Sequence, residues 1–112
     1  MSVCDKVISP AAPGDYTLHV TQVGTTDTVH GVHGLNGAEV EAWTHADLVA
    51  DGPQTIVVGS GDRHALLVLA TFANDDTFTV ELRRGDTAVA TCVLTKNGYT
   101  SSSMSLIAAE DD

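Results

Sequence analysis

Basic side chains are scarce in this sequence. Its 112 residues include 5 Lys and Arg against 15 Asp and Glu, which gives a formal charge of −10 with the histidines neutral. Such a chain repels phosphate backbones and anionic lipid headgroups, and its few cations are scattered rather than grouped in a basic stripe. We therefore expect neither nucleic acid nor a membrane surface as a partner.

Long apolar runs are missing as well. No run approaches the ~20 residues that span a bilayer, and no basic stretch followed by an apolar segment marks a secretory signal at the N-terminus. We expect a cytoplasmic protein, or one exported by a non-classical route. Hydrophobic residues nevertheless make up 43% of the chain, too many for a disordered acidic protein, so it should fold.

Cysteine occurs only twice, at Cys4 and Cys92. Two cysteines are too few for a disulfide scaffold, and this spacing fits neither a zinc ribbon nor a redox pair. We expect Cys92 to be a small core residue and Cys4 to be a free thiol. A single bridge that ties the N-terminal segment to a late strand is the alternative.

What the chain has in excess is β-branched residues. Thr, Val and Ile account for 31 of the 112 residues, and their stiff side chains suit a pleated sheet better than a helix. Apolar and polar residues alternate over residues 16–21, 77–83 and 102–108, and turn signals recur at nearly regular spacing. The pattern predicts an all-β fold: an antiparallel two-sheet β-sandwich of seven or eight strands, immunoglobulin-like or jelly roll, with a small β-barrel as the alternative.

Several local features refine this prediction. The apolar run at residues 65–72 suggests a central strand buried on both faces. Lys96-Asn97-Gly98 is the strongest hairpin signal, because Asn-Gly tolerates the positive φ angles of a type I′ turn. Residues 45–50 fit either a short helical turn or a continuing strand. We divide the chain into an N-terminal arm or edge segment (1–14), a single β-sandwich domain (15–109) and an acidic tail (110–112).

Histidine is the first candidate for chemistry, because four of the five histidines lie within 27 positions. Imidazole is a common ligand for transition metals. On a strand, however, His30 and His33 point to opposite sides unless Gly31 introduces a bulge.

The order His30, His33, Glu39 and then His64, in Gly61-Asp62-Arg63-His64, resembles the ligand order of the cupin family. Cupin β-barrels bind a metal through two closely spaced histidines, a glutamate and a later histidine. The resemblance covers about 35 residues and implies a transition-metal site on these four side chains. It departs from the family in its His-x-x-His spacing, where cupins have His-x-His, and in lacking a proline shortly before the later histidine. Surface or turn histidines are the alternative.

Acid-rich turns offer a second kind of site, because carboxylates from neighbouring loops can ligate calcium. They occur at Asp51, Asp62, Asp75-Asp76 and Asp111-Asp112. No EF-hand spacing is present, and aspartate is also an ordinary turn residue. Calcium therefore remains an alternative to plain turn chemistry.

Catalytic arrangements are weakly represented. Ser60, Asp62 and His64 have the residue types of a hydrolase triad but lack a Gly-x-Ser-x-Gly elbow. Glu39 and Glu41 share one face of a proposed strand, about 7 Å apart along it, without a cleft. We expect a binding protein rather than an enzyme.

Recognition is the remaining class. Trp43 lies beside a glycine-rich, histidine-rich segment where a loop pocket is plausible, although it also fits the core of a sandwich. We hypothesise that carbohydrate or a protein surface binds through the loops of residues 24–45 and the turn of residues 59–64. The candidate ligand-binding residues are Trp43, His45, His30, His33, Asp62 and His64.

Hydroxyl-rich outer strand faces do little to block sheet-edge pairing, so we expect a homo-oligomer. The alternatives are a self-assembling structural subunit of the viral or phage kind and a cupin-like metalloprotein. Protonation of all five histidines would change the net charge from −10 to −5. We therefore expect self-association or binding to change between about pH 7 and pH 5.

Overall fold

Residues 2–110 are described by a computed structural model, in which they fold into two stacked β-sheets. This part of the chain forms nine strands, with one turn of π-helix (Ala46–Ala50) between the fourth and the fifth. In chain order the strands are β1 (Val3–Ala11), β2 (Gly14–Val23), β3 (Thr28–Leu35), β4 (Ala38–Trp43), β5 (Gln54–Val58), β6 (Arg63–Thr71), β7 (Thr77–Arg84), β8 (Thr87–Leu94) and β9 (Ser101–Ala108). The predicted all-β two-sheet sandwich is confirmed, with more strands than the alternation indicated.

One sheet has five strands in the order β1-β9-β6-β3-β4, and the other has four in the order β5-β2-β7-β8. Neighbouring strands are antiparallel except β1, which runs parallel to β9. Within residues 2–110, only β3–β4 and β7–β8 are hairpins, and every other connection passes from one sheet to the other. Neither sheet can therefore form from one continuous stretch of chain.

The core lies between the inner faces of the two sheets. The predicted inward residues of β2, β7 and β9 are all buried, which confirms the alternation read from the sequence: Tyr16, Leu18, Val20, Phe78, Val80, Leu82, Met104, Leu106 and Ala108. Their side chains interdigitate with those of β5 and β6 in a single apolar cluster. This packing holds the two sheets together.

The prediction for residues 65–72 is wrong in one respect. β6 is a central strand, but only one of its faces is buried, with Leu66 and Val68 inside. Leu67 and Leu69 lie on the outer face, each 39% exposed. A strand with a continuous apolar sequence is buried on both faces only if a second layer covers the outer face of its sheet. Among the described residues, no such layer covers this sheet.

The hairpin signal at Asn97-Gly98 is also misassigned. These residues connect β8 to β9, which belong to different sheets. The tight turn of this kind lies instead at Asn36-Gly37 between β3 and β4, where φ is 52° and 88°. The Asn36 side chain fixes this turn by accepting a 2.9 Å hydrogen bond from the backbone N–H of Arg63.

Residues 46–50 form the helical turn that the sequence allowed as one of two alternatives. Leu48 is its buried residue and belongs to the core. None of the helical structure in residues 2–110 is long and apolar enough to cross a membrane.

The N-terminal segment contributes β1, an edge strand of the five-stranded sheet. Cys4 of β1 is bonded to Cys92 of β8, so the bridge joins an edge strand of one sheet to an edge strand of the other. The expectation of a free thiol at Cys4 is therefore wrong, and the alternative of a single bridge holds. At the other end, Glu110 is exposed, and Asp111 and Asp112 of the predicted tail lie outside the described residues.

Removing this bridge should lower the stability of the sandwich. The two cysteines are 88 residues apart, so the bridge restrains most of the unfolded chain. Replacing both, Cys4→Ala with Cys92→Ala, should reduce the free energy of unfolding by roughly 2–5 kcal/mol. Urea unfolding with and without a reductant measures the effect. The double variant should not respond to the reductant, and a wild type equally stable under both conditions would contradict the prediction.

Candidate functional site

The outer face of the five-stranded sheet carries a shallow groove of about 370 Å³. Its apolar lining comes from three adjacent strands, and one residue of each charge sign lies at its rim. We call this surface the groove face and define it by Val32, Ala65, Leu67, Leu69 and Ile107 with Glu39 and Arg63.

The groove exists because two small residues face each other at its centre. Gly34 of β3 pairs with Ala65 of β6, and neither side chain fills the space above the sheet. A Cβ added at Gly34 would lie 3.8 Å from the Ala65 Cβ, in ordinary van der Waals contact. The hollow therefore depends on side-chain size at these two positions.

The outer face of the other sheet provides an internal comparison. Along the middle of its central strands, β2 and β7, the outward positions carry hydroxyl, imidazole and charged groups: Thr17, His19, Thr21, Thr79, Glu81 and Arg83. The exposed apolar residues of that sheet lie at a strand end or on edge strands: Val23, Val57, Val89 and Val93. The central strand β6 carries Ala65, Leu67 and Leu69 at the equivalent positions. Both faces lack a covering layer among the described residues, so the fold does not impose the apolar character of the groove face.

A pair of buried histidines lies on the inner side of the same two strands. His33 of β3 is 8% exposed and His64 of β6 is 3% exposed, and 2.8 Å separates Nε2 of His33 from Nδ1 of His64. Trp43, 3% exposed, stacks on the His33 ring, with 5.8 Å between the two ring centroids. Asp62 extends the chain of polar groups, with Oδ2 3.4 Å from Nε2 of His64.

The groups around the pair favour one arrangement of tautomers. Nε2 of His64 makes no hydrogen bond, but it lies 3.4 Å from Oδ2 of Asp62, and an ionised carboxylate at that distance favours the proton of His64 on Nε2. Nδ1 of His64 is then an acceptor, and His33 donates to it from Nε2. Both rings are neutral in this arrangement, and one carboxylate anion lies at its end.

The charges around the pair support that assignment. Burial lowers the pKa of His33 below its usual value, and the neighbouring His64 lowers it further, while Glu41 acts in the opposite direction. The backbone N–H of Gly59, which donates to Asp62 over 2.8 Å, holds the pKa of that carboxyl below its ordinary value. A neutral His33 and an ionised Asp62 are therefore the favoured states near neutral pH.

The structure brings together three of the six candidate ligand-binding residues: His33, Asp62 and His64. Trp43 lies in the core, so its ring is not available for stacking on a ligand. Nδ1 of His45 accepts a 3.1 Å hydrogen bond from the backbone N–H of Val29, which is a structural contact. His30 is exposed on the outer face, on the opposite side of β3 from His33.

The cupin-like ligand set does not converge. His30 and Glu39 lie on the outer side of the five-stranded sheet, whereas His33 and His64 point inward and bond each other. Residues 2–110 contain no group of three or more His, Cys, Asp or Glu side chains positioned to hold a metal ion. The alternation predicted that His30 and His33 would diverge, and that separation removes the chelate.

The catalytic arrangements do not form either. In the Ser60, Asp62 and His64 arrangement, Nδ1 of His64 is bonded to His33, and Nε2 lies 3.4 Å from Asp62 without a hydrogen bond, so the ordered bonds of a triad are not formed between Asp62 and His64. In β4, a register shift places Glu41 opposite His33 and Glu39 opposite Gly34. Because His33 and Gly34 point to opposite sides of β3, the two carboxylates do not share a face as the sequence suggested.

Of the acid-rich turns considered for calcium, Asp76 forms an internal clasp with Asp27, which was not a candidate, whereas Asp51 and Asp75 are exposed. Asp76 accepts hydrogen bonds of 2.7–3.0 Å from two backbone N–H groups and two side chains, those of Thr26, Asp27 and Gln22. Asp27 in return accepts three backbone N–H bonds, from Ala73, Asn74 and Asp76. These carboxylates tie the β2–β3 loop to the β6–β7 loop, and their oxygens are already in use as acceptors. The Asp111-Asp112 pair, also considered for calcium, lies outside the described residues.

Comparison with protein-family models, curated proteins and solved structures finds no match to this chain. The function must therefore be argued from the geometry of the groove face and of the polar chain beneath it.

The clasp generates a test of acid stability. Hydrogen bonds led by the Asp27 N–H lower the pKa of Asp76 from 3.8 to about 2. A carboxyl with a lowered pKa stabilises the fold above its unfolded pKa, and this contribution disappears as the pH falls toward 2. Asp76→Asn should therefore melt at a lower temperature than wild type at neutral pH, and the difference should shrink as the pH drops from 3.8 to 2.

Thermal unfolding at stepped pH values measures this difference. The exposed neighbour gives a matched control, because Asp75→Asn should melt with the wild type throughout. A melting difference for Asp76→Asn that stays constant down to the lowest pH would show that its carboxylate charge is not what holds the loops.

Proposed function

We propose that this protein is a non-catalytic binding module that recognises a protein surface through the groove face. One observation carries the proposal: the central strand of a solvent-facing sheet presents Leu67 and Leu69 at its middle, where the middles of β2 and β7 in the other sheet present hydroxyl, imidazole and charged groups. Exposed apolar surface of this kind is costly in water, and it is typical of interaction sites.

The chemistry of the groove face favours a protein over a carbohydrate. Carbohydrate sites generally offer an aromatic platform and several hydrogen-bond donors. Trp43 is buried, and the groove lining contains no Phe, Tyr or Trp. An aliphatic hollow with one positive and one negative residue at its rim suits a protruding apolar side chain of another protein.

The partner we propose is a second copy of this chain. Two copies with a charge of −10 each repel one another, so a stable contact needs a region without net negative charge. The groove face meets that condition, since Arg63 balances Glu39. In a two-fold contact, Arg63 of each copy can approach Glu39 of the other, while the leucines are buried between them.

The first test replaces an apolar residue of the groove face. Leu67→Arg should make the protein monomeric where wild type is dimeric, because it places two buried cations in a two-fold contact. Sedimentation velocity over a wide concentration range measures the association. Val57→Arg is the control, since Val57 is 66% exposed on the other sheet and lies outside the groove face. A wild type that is monomeric throughout, or a Leu67→Arg dimer, would refute the proposal.

Charge reversal tests the two-fold pairing itself. Glu39→Arg should weaken the dimer by about tenfold or more, because it brings two cations together across the interface. Adding Arg63→Glu should restore most of the affinity by exchanging the two signs. Equal weakening by the single and double variants would show that these residues do not face each other.

A second candidate, a self-assembling structural subunit, is favoured by the edge of β8, of which only the last residue, Leu94, is bridged to a described residue, Tyr99. This eight-residue edge strand has no charged residue and no proline, and Val89 and Val93 are exposed along it. The other edge strands are protected by charges, by proline or by short length: β1 has Asp5, Lys6 and Pro10, β4 has Glu39 and Glu41, and β5 has five residues. A copy that pairs along β8 in addition to the groove face would extend the assembly beyond a dimer.

A lysine on the β8 edge separates these possibilities. Thr91→Lys should remove any species larger than the dimer and leave the dimer itself unchanged, because a charge at a sheet edge blocks strand pairing. Thr79→Lys on the adjacent strand β7 is the control, since it adds the same charge away from the edge. Light scattering gives the stoichiometry. A wild type that never exceeds a dimer would exclude the structural-subunit alternative.

A further inference from the structure

A chain of three titratable side chains runs beneath the groove face, from Asp62 through His64 to His33. Its position couples it to the groove. Gly34 directly follows His33, Ala65 directly follows His64, and Gly34 and Ala65 are the cross-strand partners at the centre of the hollow. A displacement of β3 relative to β6 at the histidine pair would therefore reach the residues that form the groove.

We propose that Asp62, His64 and His33 form a proton relay that makes the groove face sensitive to pH. The relay holds one proton without rearrangement, and a second proton separates β3 from β6 beneath the groove. The relay itself does not depend on the proposed self-association, and only its consequence for binding rests on that function.

The first proton is accommodated by a shift along the existing hydrogen bond. It binds to Nδ1 of His33, the nitrogen that does not face His64. The N–H bond at Nε2 of His33 breaks as an N–H bond forms at Nδ1 of His64, across the 2.8 Å contact. The net change is the uptake of one proton, and the charge comes to lie on His64 beside the Asp62 carboxylate.

A second proton cannot be accommodated by a shift along this hydrogen bond. Both nitrogens across the 2.8 Å contact would then carry hydrogen, so the hydrogen bond between the rings is lost. Two imidazolium rings with centroids 5.1 Å apart would also repel each other in a buried setting. Their separation moves the strands that carry them, and the groove between Gly34 and Ala65 opens.

Besides Asp62, the surrounding elements supply one further anion at the pair among the described residues, Glu41, which favours the charged form of His33 but is exposed to water. In β4, Glu41 lies opposite His33. The other β4 residue beside the pair is Trp43, a neutral ring that stacks on His33. β9 places the apolar Leu106 opposite His64. Asp62 and Arg63 are the charged residues beside His64 in the chain, with Arg63 exposed on the groove side, and Glu110 packs against Gly61 farther along the turn.

The pKa of His33 is shifted in the direction that such a pH switch requires. Because burial lowers the pKa of His33 in the folded state, stability from this residue is complete above its unfolded pKa of 6.5 and is lost as the pH falls below that value. We therefore expect the hydrogen bond between the two rings to be intact at neutral pH and to break in acid.

NMR of the full-length protein labelled with ¹⁵N-histidine tests the relay directly, since ring nitrogen shifts report which nitrogens carry protons. At neutral pH, both His33 and His64 should be protonated on Nε2. On acidification the two rings should titrate together in a first step, and a second step at least about one pH unit lower should shift the Gly34 and Ala65 amides. Independent titration of the two rings, with no change at those amides, would overturn the proposal.

Three variants sharpen the test. Asp62→Asn should move the first step to lower pH, because the anion that stabilises the charged His64 is lost. His33→Gln keeps an N–H donor toward His64 but cannot take up a proton, so the second step should disappear. His30→Gln is the matched control, since it makes the same change on the opposite face of β3 and should leave the His33 and His64 titrations unchanged.

The consequence for binding is measured separately. The dimer dissociation constant of wild type should rise about tenfold or more between pH 7 and pH 5, and that of His33→Gln should not. Repeating the NMR titration on Leu67→Arg separates the two proposals. If the two rings titrate as described in a protein that never associates, the relay is supported and the proposed binding function is refuted. If the protein forms a pH-independent dimer and the rings titrate independently, the binding function is supported and the relay is refuted.

Discussion

The packing of the two inner sheet faces against each other is the interaction on which the rest of this structure depends. The chain passes between the sheets at six of its eight connections, so neither sheet is complete until both are docked. Phe78, Leu66 and Leu106 are fully excluded from water at that contact. The Cys4–Cys92 bridge and the Asp27–Asp76 clasp reinforce this docked arrangement, the first as a buried link between two edge strands and the second as a link between two loops.

Local alternation was enough to predict the strands but not their partners. Residues 16–20, 78–82 and 104–108 alternate cleanly, and each forms the expected strand with the expected face buried. The Cys4–Cys92 pairing depends on the proximity of the first and eighth strands, which no local pattern encodes. Asn97-Gly98 has the composition of a hairpin turn, yet the strands it joins lie in different sheets because long-range packing decides pairing.

The sequence predicted only part of the candidate site, because this site also depends on which strands are neighbours in the sheet. Strand periodicity predicted that His30 and His33 point in opposite directions, and they do, but it could not say which of them faces the core. Contact between His33 and His64 requires β3 and β6 to be neighbours in the sheet. The groove face was missed because an unbroken apolar run, residues 65–70, looks doubly buried unless the absence of a covering layer is known.

Strands β3 and β6 depart twice from the rule that places apolar residues inside and polar residues outside. Their inner face holds two histidines beside Trp43, where the indole N–H and Nε2 of His64 have no hydrogen-bond partner, while the outer face of β6 holds exposed leucines. An aliphatic pair at the histidine positions would fill a core without desolvating polar groups. Polar outer residues would likewise make β6 resemble β2 and β7. Neither departure serves the stability of the sandwich, and their occurrence back to back on the same two strands argues that the groove and the relay form one functional unit.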